Sequence, residues 1–285
     1  MMKWMIVADS SCDLKTLETG SPDIGFDTVP FVLNLDGKDY VDDGSLNVTE
    51  MVDAMEKAEK SHSACPSPEA WRKLFEKADH IIALTISGRL SGSYNSAMAG
   101  RSMALENHPE KKIEVIDALS TGPKLVMLAQ NAVRQIQAQI PFEAVCSSCR
   151  ELAQSVRTIF TLSSFHNLVQ NGRVSRIAGF IAGRLGIRVI GVGSQEGEIQ
   201  LKELMRGENR VLKHIVKDME ENGYGGTPMT VCHCMNEQMA RSLKDMIVSR
   251  WESAKVQLLP TRGLDSYYAE RSGLIISYNR GTAPV

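Results

Sequence analysis

Short apolar runs alternate with polar turns and helical segments over the first half of the chain. Trp4–Ala8, His80–Leu84 and Lys112–Ile116 each have the pattern of a buried strand that ends in small polar residues. The composition of Tyr94–Glu106 and Pro123–Gln139 favours a helix after the second and third of these strands. Repeated strand–turn–helix units with few hairpins predict a parallel, doubly wound sheet.

The polar turns that follow these three strands lie at residues 9–13, 85–93 and 117–122. Open α/β sheets bind ligands at the carboxyl ends of their strands, so these turns are the predicted ligand-facing loops. Asp13, and either Asp9 or Ser11, are also ordinary capping residues for a following short helix.

Between the first two units the pattern changes. Asp36-Gly37 between two apolar runs predicts a hairpin, and Thr49 is the expected N-cap of a helix over Glu50–Lys60. Residues 61–66 are predicted to be an unstructured link. Ser67 followed by Pro68 then predicts a new helix start.

After Pro141 the pattern becomes mixed. A helix over Phe142–Arg157 precedes a strand over Thr158–Ser163 and a glycine-rich helix over Ile177–Leu185. The remaining predictions are a hairpin (187–192 with 198–204), helices over 208–221 and 237–251, and strands over 229–234, 255–259 and 274–278. We therefore expect an α/β protein of two domains: a doubly wound parallel-sheet domain over 1–160 and a mixed α/β domain over 161–285.

Composition narrows the function classes. Of the 285 residues, 43% are hydrophobic and 23% charged, which is typical of a globular protein, and the formal net charge of -2 argues against a nucleic-acid partner. No apolar stretch is long enough to span a bilayer, and Met1–Asp9 lacks a signal-peptide pattern. We expect a cytoplasmic protein, for which peripheral or transient contact with a membrane stays open.

We expect the six cysteines to be reduced thiols and not a disulfide framework, because a chain of this size needs no covalent cross-links to be stable. Cys146 and Cys149 have zinc-like spacing inside a predicted helix, and Cys232 and Cys234 alternate in a predicted strand. Buried or lightly reactive thiols are the preferred interpretation, and no metal site is expected.

The segment Thr85–Ala97 carries the candidate chemistry. A strand that passes through a Ser/Gly turn into a helix leaves backbone N–H groups free, and Ser87, Ser91 and Ser93 add hydroxyls. Together they predict an acceptor site for a carboxylate or a phosphate.

The sequence matches the known motifs for catalysis and for nucleotide binding poorly. The spacing of Gly88, Ser91 and Gly92 is one residue too long for a nucleophile elbow, and the segment lacks the Walker lysine. Asp9-Ser10 resembles the start of a Gly-Asp-Ser esterase, but the last histidine, His233, has no Asp three residues before it. A serine hydrolase using Ser10 or Ser91, and a carrier of a small phosphorylated or carboxylate metabolite, stay open as alternatives.

Four segments in this order resemble the DegV family of bacterial fatty-acid-binding proteins over essentially the whole chain. They are Asp9–Asp13, Ser63-Ala64-Cys65-Pro66-Ser67, Ile86–Ala97 and Leu168–Val174, whose Gly172-Arg173-Val174 is similar to the family's Gly-Arg-Ile. The resemblance implies two α/β domains with a long-chain fatty acid, such as palmitate, buried between them. It implies no cofactor and no catalytic residue in the binder itself.

The resemblance also suggests roles for individual residues. Ser63 and Ser91 stand where the family has carboxylate-contacting hydroxyls, and Arg173 is expected near the head group. Ser93 is included with the carboxylate ligands, and Ser10 with the residues near the head group or a partner. In family members that serve fatty-acid kinases, the bound acid is presented to a separate kinase subunit.

One segment departs from the family pattern. Where many members have His-x-Gly-Pro-Gly, this chain has Pro260-Thr261-Arg262-Gly263-Leu264-Asp265-Ser266, with no histidine. Arg262 is predicted to replace the histidine with a charge-assisted contact to the carboxylate. The departure leaves the kinase partner less supported than fatty-acid binding.

Overall fold

The computed structural model describes residues 2–174 and 186–282. The strands are β1 (Met2–Asp9), β2 (Ile24–Val29), β3 (Val32–Leu35), β4 (Lys38–Val41), β5 (Ser61–Ala64), β6 (Ala78–Thr85), β7 (Lys112–Asp117), β8 (Val156–Leu162), β9 (Ile187–Gly193), β10 (Ile199–Arg206), β11 (Tyr224–Gly225), β12 (Met229–His233), β13 (Val256–Pro260), β14 (Leu274–Asn279) and β15 (Gly281–Thr282). The helices are α1 (Val48–Met55), α2 (Pro68–Phe75), α3 (Ser93–Asn107), α4 (Pro123–Gln137), α5 (Phe142–Ser155), α6 (His166–Gln170), α7 (Glu208–Glu221), α8 (Glu237–Arg250) and α9 (Gly263–Ala269).

The first sheet has the order β2-β1-β6-β7, and all of its strands are parallel. Successive residues of a strand point to opposite faces, so Met5 and Val7 pack under α2 and α3 while Ile6 and Ala8 pack under α4 and α5. Apolar residues on both faces make this a buried, doubly wound sheet. The predicted fold class is confirmed for the first half.

The second sheet has the order β10-β9-β8-β14-β12-β13 and is mixed, since only β12 and β13 run parallel. Helices α7 and α8 pack on one face around Val211, Ile215 and Leu243. Helix α4 contacts strands of both sheets and joins the two halves. The boundary predicted at residue 160 falls inside β8, and the chain enters the second sheet at Val156.

A small antiparallel sheet, β4-β3-β5, lies over the junction of the two halves. Its residue Leu33 and the preceding Phe31 share one apolar cluster with Phe160 and Leu162 of β8. The cluster therefore belongs to both halves, and the cavity described below lies within it.

Several local predictions are confirmed and others need correction. The Asp36-Gly37 hairpin forms, and Ser67 accepts a hydrogen bond from the Ala70 N–H as an N-cap. The N-cap of α1 is Asn47, not Thr49, because the Asn47 side chain accepts from the Glu50 N–H. The predicted link at 61–66 contains β5, which gains its hydrogen bonds from β3. The helix predicted over Ile177–Leu185 lies outside the described residues.

Candidate ligand site between the two halves

A cavity opens where the carboxyl ends of the first sheet face the second sheet. Its apolar lining comes from both halves and consists of Phe31, Ile86, Leu90, Leu119, Phe160, Leu162, Leu168, Ile199, Leu264, Ala269 and Ile275. Such a lining suits a long hydrocarbon group.

The polar side chains of the cavity include three of the residues that the sequence singled out. Ser63, Ser91 and Arg173 all line it, although they lie far apart in the chain. Ser63 is held on β5, Ser91 lies in the turn between β6 and α3, and Arg173 follows α6. The fold brings these three predicted residues together.

Tyr268 is a fourth member of this polar group. Its hydroxyl lies 2.8 Å from Ser63 Oγ, and the Arg173 guanidinium lies 5.7 Å from its ring centroid. Burial raises the pKa of Tyr268, so its hydroxyl stays protonated and can donate. We name Ser63, Ser91, Arg173 and Tyr268 the hydroxyl–arginine cluster.

Backbone contacts fix the rest of the cluster. Arg173 Nε donates to the Leu90 carbonyl oxygen at 3.2 Å, next to Ser91, and its Nη1 donates to the Asn171 carbonyl oxygen. Ser91 Oγ accepts from the Ser93 N–H at 3.2 Å. Within the described ranges, no acidic side chain forms a salt bridge with Arg173.

The Ser/Gly turn is attached to the second sheet. Ser87 Oγ donates to the Gly197 carbonyl oxygen at 2.7 Å, in the turn between β9 and β10. The Ser87 carbonyl oxygen accepts from the Leu90 and Ser91 N–H groups. Ser87 thus positions Ser91 without lining the cavity.

Ser93 and Ser10 are in structural hydrogen bonds away from the cavity. Ser93 is fully buried, and its Oγ donates to Asp9 Oδ2 at 2.7 Å. Ser10 Oγ accepts from the Phe31 N–H at 3.0 Å and also contacts the Asp42 carboxylate. Neither side chain lines the cavity, so both are left out of the proposed ligand contacts.

Arg262 is also held in structural contacts. Its guanidinium is 3% exposed and donates to the Leu14 and Asp42 carbonyl oxygens at 2.9 and 2.8 Å. Its Nε lies 3.7 Å from Asp42 Oδ1. Because these acceptors hold the guanidinium outside the cavity lining, Arg262 is also left out of the proposed ligand contacts.

Two features of the described residues concern the alternatives based on catalysis and on metals. No histidine lines the cavity beside Ser91, and no group of three His, Cys, Asp or Glu in the described ranges could hold a metal ion. All six cysteines are free, and only Cys65 is exposed. No described helix has the length and hydropathy to cross a bilayer.

The architecture is that of a ligand-binding protein with an apolar cavity between two α/β halves. A family model for uncharacterised proteins of the DegV family matches residues 3–268. A DegV domain-containing protein of Streptococcus pneumoniae is 36% identical over 278 residues, which covers 97% of this chain and 99% of that protein. This chain belongs to the DegV family.

Two solved structures extend the similarity to three dimensions. The fatty acid kinase B3 protein of Streptococcus pneumoniae, loaded with linoleic acid, superposes with a TM-score of 0.94 at 35% identity and covers 98% of this chain and 99% of its own. A DegV family protein of Eubacterium eligens, loaded with heptadecanoic acid, gives a TM-score of 0.92 at 37% identity, covering 97% of this chain and 99% of its own.

Proposed function

We propose that this protein binds one long-chain fatty acid in the cavity between its two halves, with the carboxylate at the hydroxyl–arginine cluster. The observation that carries the proposal is an apolar cavity with hydroxyls and the Arg173 guanidinium grouped on its wall. The fatty acids in the two similar structures support it.

The energetics fit this ligand class. A palmitoyl chain buries about fifteen methylenes, each contributing about 0.8 kcal/mol. Part of this is lost to ordering the chain and to its lost translational freedom. The carboxylate needs partners because an unpaired buried charge is costly, and Ser63, Tyr268 and Arg173 supply donors.

The test is to extract the purified protein with organic solvent and identify any bound lipid by mass spectrometry. Protein stripped of lipid is then titrated with palmitate, oleate and inorganic phosphate. We expect one fatty acid per chain and no uptake of phosphate. Protein that takes up neither fatty acid would contradict the proposal, and uptake of phosphate alone would favour the small-anion carrier.

We further propose that the protein is not itself an enzyme and presents its fatty acid to a kinase subunit. The similarity to a fatty acid kinase B3 protein supports this role. Loaded protein should allow acyl phosphate formation only when a fatty-acid kinase catalytic subunit and ATP are added. Hydrolysis of ester substrates by the protein alone would instead favour a serine hydrolase.

A further inference from the structure

Asp265 is an unusual residue in the cavity wall. It lies on α9, is 2% exposed, and its Oδ1 accepts from Thr121 Oγ1 at 2.5 Å. Its Oδ2 receives no hydrogen bond from any described N–H or O–H group. A carboxylate oxygen that is buried without a donor is costly, so this oxygen needs an explanation.

A second carboxyl oxygen in the same condition faces it. Asp13 is 5% exposed, its Oδ1 accepts from the Arg262 N–H at 2.7 Å, and its Oδ2 also receives no N–H or O–H donor among the described residues. Both free oxygens lie over Gly122, where a Cβ would collide with Asp265 Oδ2 and lie 3.1 Å from Asp13 Oδ2. Because both oxygens lie close to the same point at Gly122, the two carboxyl groups face each other.

Among the described residues, no cation is paired with these two carboxyl groups. The charged and titratable groups that face them are Cys12, Asp42, Cys232, Cys234 and Arg262. Arg262 is the one cation among them, and it lies against Asp42. The Cys232 thiol approaches Asp13 but is only a weak donor. Two facing acceptors without a cation are satisfied if one proton lies between them.

We propose that Asp13 and Asp265 share one proton, and that fatty-acid binding is coupled to retention of this proton. The coupling rests on the proposed function. Asp265 and Tyr268 are three residues apart on α9, so their side chains are neighbours on one helix face. Loss of the proton would place two negative charges beside the incoming carboxylate and would push α9 away from Asp13.

The direction of the pH dependence follows from linkage. Burial raises the pKa of Asp13 to about 7 and raises that of Asp265 above its ordinary value. The ligand's carboxylate favours the protonated pair, so binding raises the pair's apparent pKa further. Affinity is therefore highest below the pair's titration and falls as the pH rises through it.

The test compares wild type with Asp13→Asn by calorimetric titration of lipid-free protein with oleate between pH 6 and 9. In this variant the introduced side-chain amide donates permanently to Asp265, in place of the shared proton. As the pH rises from 6 to 9, we expect the affinity of wild type for oleate to fall more than that of Asp13→Asn. The additional fall is about tenfold for each unit by which oleate raises the apparent pKa of the carboxyl pair. Asp79→Asn removes an exposed carboxylate and should behave as wild type.

Infrared spectra of the ligand-free protein test the proton independently of oleate. The carboxylic acid band of wild type at pH 6 should exceed that of Asp13→Asn, and Asp265→Asn provides the same comparison if Asp13→Asn fails to fold. No difference in this band overturns the shared proton. Equal pH dependence in both proteins overturns the coupling but leaves fatty-acid binding intact. Failure of oleate to bind either protein contradicts the proposed function and the coupling together, and the infrared band still tests the proton.

Discussion

The adjacent residues Tyr267 and Tyr268 of α9 differ in what their hydroxyls contact. Tyr268 reaches Ser63 at the cavity, whereas the Tyr267 hydroxyl donates to Ser61 Oγ and accepts from Asn171 Nδ2 outside the lining. The pair therefore offers a matched comparison between a ligand-binding and a structural hydroxyl.

Tyr268→Phe should weaken fatty-acid affinity about 10-fold, because a hydrogen bond to a charged group contributes about 1.5 kcal/mol or more. Tyr267→Phe should leave affinity unchanged and lower the unfolding free energy by about 1 kcal/mol. Titration with oleate and urea unfolding of both variants check this. Equal affinities of Tyr268→Phe and wild type would remove Tyr268 from the site.

At the scale of single residues, the sequence identifies candidate site residues better than it identifies the groups to which they hydrogen-bond. Ser63, Ser91 and Arg173 could be located because they belong to segments that resemble a family. The charge of Arg262 is visible in the sequence, but its acceptors at Leu14 and Asp42 could not be predicted because they are about 220 or more residues away. Tyr268 gave no sequence signal because α9 was not predicted.

Helix α9 depends on a buried carboxylate from another element. Asp42, in the loop after β4, accepts from the Gly263 and Leu264 N–H groups at 2.9 and 2.8 Å and lies beside Arg262. This contact fixes the N-terminus of the helix that carries Tyr268. It also explains why Gly263 is a glycine, since a Cβ there would lie 2.7 Å from Asp42.

Asp42→Ala should lower the unfolding free energy by about 3–5 kcal/mol, because it leaves the buried Arg262 guanidinium without its carboxylate. Its exposed neighbour is the control: Asp43→Ala should change stability by about 0.5 kcal/mol. Urea unfolding of both variants measures these changes. Equal losses of unfolding free energy in the two variants would show that the Asp42 contact does not stabilise α9.

Asp9 joins three elements at the end of β1. Its carboxylate accepts from the Ile86 N–H after β6, from Ser93 Oγ of α3 and from Ser11. Burial raises its pKa to about 6 despite these donors. A raised pKa means that the folded state holds the proton more tightly, so this contribution to stability is complete below pH 3.8 and is lost by about pH 6.

Asp9→Asn should remove that pH dependence. Relative to the variant, the unfolding free energy of wild type should fall by about 3 kcal/mol between pH 3 and pH 7. Urea unfolding at several pH values measures the difference, which excludes any constant cost of the altered hydrogen bonds. A difference that does not change with pH would show that Asp9 titrates normally.

For the whole molecule, local patterns predicted the class of fold but not its assembly. The strand–turn–helix units predicted the parallel sheet, and the turn at residues 194–197 predicted the hairpin of β9 and β10. The sheet to which a strand belongs depends on pairing with residues far away in the chain, which a local pattern does not show. The domain boundary predicted at residue 160 therefore falls inside β8. Strand β5 was missed because its short polar sequence, Ser61–Ala64, forms a strand only by pairing with β3.

The two halves should unfold together. One apolar cluster contains Phe31 and Leu33 from the first half with Phe160 and Ile275 from the second, and α4 packs against both sheets. Neither half can lose its structure without exposing apolar surface of the other. Calorimetry should therefore give one transition, with equal calorimetric and van't Hoff enthalpies.

A fatty acid that contacts both halves should shift this single transition as a whole. At a free oleate concentration of 100 times the dissociation constant, mass action adds about 2.7 kcal/mol to the unfolding free energy. Tyr268→Phe protein should gain less at the same oleate concentration, because its affinity is lower. Two transitions, with oleate raising only one of them, would mean that the cavity belongs to one half and that the shared cluster does not couple their unfolding.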